Sequence, residues 1–227
     1  MKKGTLIVIE GTDGVGKSTQ FARLCQRADA EGIPFRRLVF PQYEEPSSAL
    51  IRMYLMGEFG KNPGDVNPYA ASAFYAVDRY ASWKKGWQSW YQAGGLVLAD
   101  RYTTSNAVHQ TAKLAEEEQE HFLDWLQDFE YEKLGLPEPD LVLLLDMPTD
   151  RSEAMLRRRE ALTKTKGDIH ETDSAYLAAC RTAARKAAEV WGWTRIPCLN
   201  EAGEMRSVKE IHGEIWQAVR SLIKRGE

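Results

Sequence analysis

Along the 227-residue chain, short apolar runs alternate with longer stretches of mixed polarity. Residues 6–9 (Leu-Ile-Val-Ile), 96–99 (Leu-Val-Leu-Ala) and 141–145 (Leu-Val-Leu-Leu-Leu) are continuously apolar. That pattern predicts strands buried on both faces of a parallel sheet. Residues 35–40 and 195–199 read as two further strands. Helices are expected over 17–31, stopped by Gly32, and over 47–57. Asn67-Pro68 joins a capping side chain to a proline at the first helical position, so a long helix should run from there to about Ala93. Further helices are expected over 116–133, from Asp150 into a basic stretch at 157–166, over about 173–190, and over 208–224. This alternation predicts one α/β domain across residues 1–227, a five-stranded parallel sheet with helices on both faces. Trp83, Trp87 and Trp90 recur at helical spacing and read as one apolar stripe, for packing or for a dimer interface.

The formal net charge is -3, with no block of like charge at either end. A surface for polymeric DNA or RNA is therefore not expected, whereas a small anionic ligand needs only a local cluster of Lys and Arg. Cys25, Cys180 and Cys198 lie far apart, and His109, His121, His170 and His212 show no metal-ligand spacing. The apolar run at 6–9 is too short for a signal peptide or a membrane span. A reduced protein of the cytoplasm, outside the membrane, is the expectation.

Gly11-Thr12-Asp13-Gly14-Val15-Gly16-Lys17-Ser18 follows the first strand and opens the first helix. It matches the phosphate-binding pattern G-x-x-x-x-G-K-[ST] in the structural context that pattern requires. Gly11, Gly14, Val15, Gly16, Lys17, Ser18 and Thr19 are the expected holders of the ATP phosphates. Backbone N–H groups and the helix N-terminus face the anion, Lys17 reaches the β- and γ-phosphates, and Ser18 binds Mg²⁺. Thr165-Lys166-Gly167-Asp168 spells a guanine-reading pattern, but no buried strand precedes it. The segment fits better as a lid over about 157–172, where Arg157, Arg158, Arg159, Lys164 and Lys166 would bring positive charge onto ATP and exclude water. A solvated basic helix end is the alternative. Asp100-Arg101-Tyr102 follows the third strand, where ligands bind in such sheets. There Arg101 can hold a phosphate and Asp100 can orient Mg²⁺ through water; a structural ion pair is the other reading.

Across nearly its whole length the chain resembles the thymidylate kinases, a family of P-loop nucleoside monophosphate kinases. The marks are Asp13 inside the P-loop, Phe40-Pro41 after the second strand, Tyr75 with Arg79 one helical turn on, Asp100-Arg101-Tyr102, and the acidic Asp168-Ile169-His170-Glu171 after the basic stretch. The resemblance implies transfer of the γ-phosphoryl group of ATP to dTMP, with Mg²⁺, in a homodimer. It implies Tyr75 stacked on thymine, Arg79 donating to a base carbonyl, and Asp13 accepting from the sugar 3′-hydroxyl. Ser105, Asn106 and Gln110 would lie near the base. Lys17, Asp100 and the lid arginines Arg157, Arg158 and Arg159 would be catalytic. Two positions depart from the family. Tyr43 stands where many members carry a phosphate-holding arginine, which leaves Arg101, with help from Arg52 or another cation. Gly14 stands where some members carry an arginine, which fits catalysis by a lid arginine. A kinase for another nucleoside or nucleotide, or a non-catalytic nucleotide switch, are the rival readings.

Overall fold

The computed structural model describes residues 3–163 and 174–225. Five strands, β1 (Thr5–Glu10), β2 (Phe35–Val39), β3 (Leu96–Asp100), β4 (Leu141–Asp146) and β5 (Thr194–Pro197), form one parallel sheet in the order β2-β3-β1-β4-β5. The helices are α1 (Lys17–Ala30), α2 (Ala49–Leu55), α3 (Pro68–Ser82), α4 (Gln88–Gln92), α5 (Thr103–His109), α6 (Glu116–Gln127), α7 (Thr149–Thr163), α8 (Ser174–Val190) and α9 (Val208–Arg225).

The continuous apolar runs are explained by two cores, one on each face. Leu6, Val8, Val97, Ala99, Val142 and Leu144 meet Phe122 and Leu126 of α6 and Cys180, Ala184 and Ala187 of α8. Ile7, Ile9, Leu98, Leu143 and Leu145 alternate to the other face, against Phe21 and Leu24 of α1 and Ile211, Ile215 and Val219 of α9. Each fully buried Leu or Ile contributes about 1.5–3 kcal/mol, so a polar substitution in β1 would be among the most damaging in the chain. The chain winds to one side of β1 through β2 and β3, then to the other through β4 and β5. That reversal opens a crevice at the carboxyl end of β1.

Helix α5 is not expected from the sequence, and three expected elements differ in course or extent. The long helix after Asn67, whose Oδ1 accepts from the Tyr69 N–H at 2.8 Å, is broken by a π turn at Trp83–Trp87. That turn shifts the helical phase. Trp83, Trp87 and Tyr91 share the core, with the two indoles 4.5 Å apart. Trp90 turns aside and donates to the Leu96 carbonyl at 2.8 Å. The tryptophans therefore serve packing, and no exposed stripe exists. A second π turn, Asp128–Lys133, ends the helix expected over 116–133. The fifth strand stops at Pro197 because Leu199 leaves the sheet to bridge Met205.

Lys113 sits just beyond α5. Its Nζ donates to the Tyr54 hydroxyl at 2.8 Å and to the Val66 carbonyl at 3.3 Å. Burial lowers its pKa to about 8, against 10.5 for the ordinary lysine. The unfolded chain therefore binds a proton that the folded chain releases between these values. Lys113's contribution to stability is full above pH 10.5, shrinks as pH falls, and is lost below about 8. Between pH 7.5 and 9.5, wild type should gain stability relative to Lys113→Met, on the order of 1–2 kcal/mol. Urea midpoints of both proteins at both pH values check this.

Candidate active site

At the carboxyl end of β1 the crevice deepens into a cleft of about 440 Å³, within the range of small-molecule sites. One wall is the turn from β1 to α1, with Asp13, Gly14, Gly16, Lys17, Ser18 and Thr19 facing the cleft. Gly11 and Val15 do not line it; they shape the turn, and a Cβ on Gly11 would come 2.8 Å from Val15 Cγ2. Gly16 caps α1 at φ 92°, a left-handed conformation that favours glycine.

Gly14 carries the tightest constraint. Its φ is +81°, and an added Cβ would lie 2.3 Å from the Ser152 carbonyl oxygen of α7. The P-loop and α7 are thus pressed together through a residue with no side chain. Gly14→Ala should force them apart, lowering the melting temperature and raising the KM for ATP at least about ten-fold. A thermal melt and ATP-dependent kinetics read both effects.

Lys17 is buried, with Nζ donating to the Thr12 carbonyl at 2.8 Å and 3.6 Å from Asp13 Oδ1. Burial first, then Arg101, pull its pKa down, against the pull of Asp13, Glu10 and Asp100. The same Asp13 oxygen accepts from Arg101 Nη2. Asp13 therefore joins the P-loop lysine to the arginine on the far side of the cleft. Arg101 Nη1 meets Ser105 Oγ at 3.1 Å and His109 Nε2 at 3.2 Å, and lies 3.6 Å from Glu10. Burial opposes the charge of Arg101, but Asp13, Glu10 and Asp100 outweigh it and hold the guanidinium pKa above its usual value. Arg101 is also the one described non-glycine residue with positive φ, at 66°, a conformation that stores about 1 kcal/mol or more. Asp100 is buried, and that burial raises its carboxyl pKa against the opposing pull of Lys17 and Arg101.

Among the described residues, no three His, Cys, Asp or Glu side chains form a metal cage. Magnesium on a nucleotide needs only one or two protein oxygens, with phosphate and water completing the shell. Ser18 and Asp100 both line the cleft and fit that limited role.

The opposite wall brings together Tyr75, Arg79, Arg101, Ser105, Asn106, His109 and Gln110. Arg79 is not a surface charge: it is 2% exposed and paired with the fully buried Glu130, Nε to Oε2 at 2.6 Å. Removing either partner would strand a buried charge, at about 3–5 kcal/mol. Ser105 Oγ also donates to Glu10 at 2.7 Å, as does Thr104 Oγ1. Gln110 is buried, with its Oε1 unpartnered among the described residues.

Sequence reasoning missed Glu10, Asp78, His109 and Glu130. Glu10 left a visible signal, a carboxylate closing an apolar strand. Asp78 accepts from the Gln42 N–H at 2.8 Å and the Ser47 hydroxyl at 2.6 Å, fixing the loop after the cis Phe40-Pro41 bond against α3. Arg52, the cation expected to help Arg101, lies outside this wall. Its Nη1 is bound to Ser48 Oγ at 2.6 Å and to the Tyr43 and Glu45 carbonyls, and it does not line the cleft, whereas Tyr43 does.

Two of the arginines expected in the lid, Arg157 and Arg158, stand apart from this wall. Ser152 and Leu156, one turn apart, hold α7 to the P-loop, so the neighbouring positions 157 and 158 project away. Arg157 and Arg158 are exposed, Arg157 pairing with Glu153 at 3.2 Å, and neither lines the cleft. The Arg159 side chain, Lys164, Lys166 and the segment Asp168-Ile169-His170-Glu171 lie outside the described residues.

The family model "Thymidylate kinase" matches residues 9–205. A thymidylate kinase of Mycobacterium tuberculosis (strain CDC 1551 / Oshkosh) is 33% identical over 193 residues, covering 82% of this chain and 87% of the relative. A probable thymidylate kinase of Pyrococcus abyssi is 29% identical over 220 residues, covering 96% and 97%. The Homo sapiens thymidylate kinase is 32% identical over 147 residues, covering 64% and 62%. With a two-walled cleft joined through Asp13 and a family match across most of its length, the chain belongs to the thymidylate kinase family.

Proposed function

We propose that the protein transfers the γ-phosphoryl group of ATP to dTMP, giving dTDP and ADP. The observation that carries this reading is the Lys17–Asp13–Arg101 chain of charges, which sets one phosphate-binding cation on each wall of a single cleft. ATP phosphates rest on the P-loop amides with Lys17 at the γ-phosphate. The dTMP phosphate rests on Arg101, whose fork suits bidentate contact. Its oxygen attacks the γ-phosphorus in line as the bond to the β-phosphate oxygen breaks. Phosphate is already anionic at neutral pH, so positioning and charge stabilisation suffice without a strong base.

Glu10, Asp13 and Asp100 face Lys17 and Arg101, so these side chains alone do not offset the nucleotide charge. Ser18 directly and Asp100 through water would hold Mg²⁺, which would supply charge neutralisation for the phosphates. Closure of the lid at 157–172 would add Arg157, Arg158 and Arg159 as catalytic cations. At the acceptor end, Tyr75 stacks on thymine, Arg79 and Asn106 meet its polar edge, and Ser105 and Gln110 complete the wall. Asp13 takes the 3′-hydroxyl through the acceptor capacity left beside its two cations.

The whole chain would act as one catalytic unit. A homodimer fits the exposed Val77 and Tyr80 on α3, two of the eleven large apolar side chains left to solvent among the described residues. A cytoplasmic setting fits three buried free thiols and the absence, among the described residues, of any helix long and apolar enough to cross a membrane. Polymeric nucleic acid is not a proposed partner. The test is an ADP-release assay with ATP against a panel of nucleosides and monophosphates. Turnover selective for dTMP is expected. Selective turnover of another acceptor would move the assignment within the kinases, and nucleotide binding without acceptor-dependent turnover would refute catalysis.

A further inference from the structure

Glu130 lies on the π turn after α6, fully buried, and does not itself line the cleft. Its two oxygens receive four side-chain bonds. Arg79 donates Nε to Oε2 at 2.6 Å and Nη2 to Oε1; Thr103 Oγ1 donates to Oε2 at 2.7 Å; Asn106 Nδ2 donates to Oε1 at 3.1 Å. Four donors match the four lone-pair sites of one ionised carboxylate.

The consequence falls on the two cleft residues it holds. Asn106 Nδ2 spends its second hydrogen on the Ser72 carbonyl at 3.2 Å. Both amide hydrogens are then consumed behind the wall, and the amide is fixed with its Oδ1 as the remaining polar atom. The Arg79 edge away from the carboxylate is Nη1, which makes a long 3.4 Å contact to the Tyr102 carbonyl. Arg79 and Asn106 both line the cleft, the first with a donor that cannot become an acceptor and the second with an acceptor that cannot become a donor.

We propose that Glu130 is a positioning residue that sets the hydrogen-bond polarity of the base-reading wall, and so the choice of pyrimidine. A fixed donor and a fixed acceptor match a carbonyl next to a ring N–H, the edge of thymine. It opposes cytosine, which presents an amino group next to a bare ring nitrogen. An amide in place of the carboxylate has one acceptor oxygen and sets a donor against Arg79 or Asn106, so one of these loses its anchor on Glu130 and the code is weakened. This inference rests on the reading of Arg79 and Asn106 as base contacts.

The experiment compares kcat/KM for dTMP and dCMP, which share sugar and phosphate, in wild type, Glu130→Gln and Thr103→Val. Wild type prefers dTMP. Glu130→Gln lowers the dTMP-to-dCMP ratio by about ten-fold or more, chiefly through loss of dTMP turnover. Thr103→Val removes one donor to Glu130 but keeps the ion pair, and keeps the test decisive should the first variant not fold; it lowers the ratio about three-fold. A role in packing alone reduces both acceptors equally, so an unchanged ratio in the folded variants overturns the inference while leaving dTMP phosphorylation intact. A wild-type enzyme indifferent between the two acceptors overturns both the inference and the base-contact reading beneath it.

Discussion

Lys17→Ala is expected to lower kcat by about a thousand-fold or more at saturating ATP and dTMP, with the fold retained. A thousand-fold is about 4 kcal/mol of transition-state stabilisation. One neutral donor aimed at developing charge is worth about 10²–10³ in rate, and a buried cation aimed at a phosphoryl group exceeds it. The position of Lys17 argues for that larger share. Its ammonium is anchored at the Thr12 carbonyl and steadied by Asp13, so little reorganisation is needed as charge moves onto the β–γ bridge. Burial and Arg101 both lower its pKa, which marks a cation held at a cost unless an anion arrives. The fold should survive because Asp13 keeps Arg101 as a partner after Lys17 is gone. An unchanged melting temperature with turnover within ten-fold of wild type would remove Lys17 from the chemistry.

Arg101→Lys is expected to lower kcat/KM for dTMP by about a hundred-fold while the KM for ATP changes by less than about two-fold. The charge is conserved, so the loss measures geometry. Arg101 spreads its fork over Asp13, Ser105 and His109, and a lysine ammonium, a point charge on a flexible stem, cannot hold these directions and a phosphate together. The backbone at this position is already strained at φ 66° and is tied to the Ile9 carbonyl at 3.2 Å. That combination fits a side chain aimed at one place. Steady-state kinetics with each substrate varied in turn provide the test. Equal losses for ATP and dTMP would mean that Arg101 serves the cleft as a whole and not the acceptor phosphate.

Much of this molecule was legible from local sequence. The buried strands announced themselves as unbroken apolar runs because both faces are covered, and the P-loop because glycines, lysine and serine must follow one another for the turn to form. Tyr75 and Arg79 share a helix face by their spacing, but only the resemblance to the thymidylate kinases marked them as site residues; both line the cleft. What stayed hidden depends on partners distant in the chain. Helix α5 has no apolar period: Thr103, Thr104, Asn106 and His109 are buried polar residues, so Thr-Thr-Ser-Asn reads as a loop. Their burial is made possible by Glu10 and Glu130, which take their hydroxyl and amide hydrogens. Glu130 sits in a charged stretch that looks like a solvated helix face, and nothing local marks it as the partner of Arg79, 51 residues away. The π turn at Trp83–Trp87 escaped for a related reason. A four-residue aromatic spacing is compatible with a continuous helix, and only the core shows that Tyr91 replaces Trp90 in the cluster.

In the proposed reaction two nucleotides meet end to end across the charges of Lys17, Asp13 and Arg101. A crystal structure with adenosine and thymidine joined through their 5′-oxygens by an oligophosphate measures that arrangement directly. The expected density places the phosphate bridge between Lys17 and Arg101, the adenosine end beyond the P-loop, and the thymine ring against Tyr75 and Arg79. Density that leaves the P-loop empty, or that seats the thymine away from α3, would contradict the account.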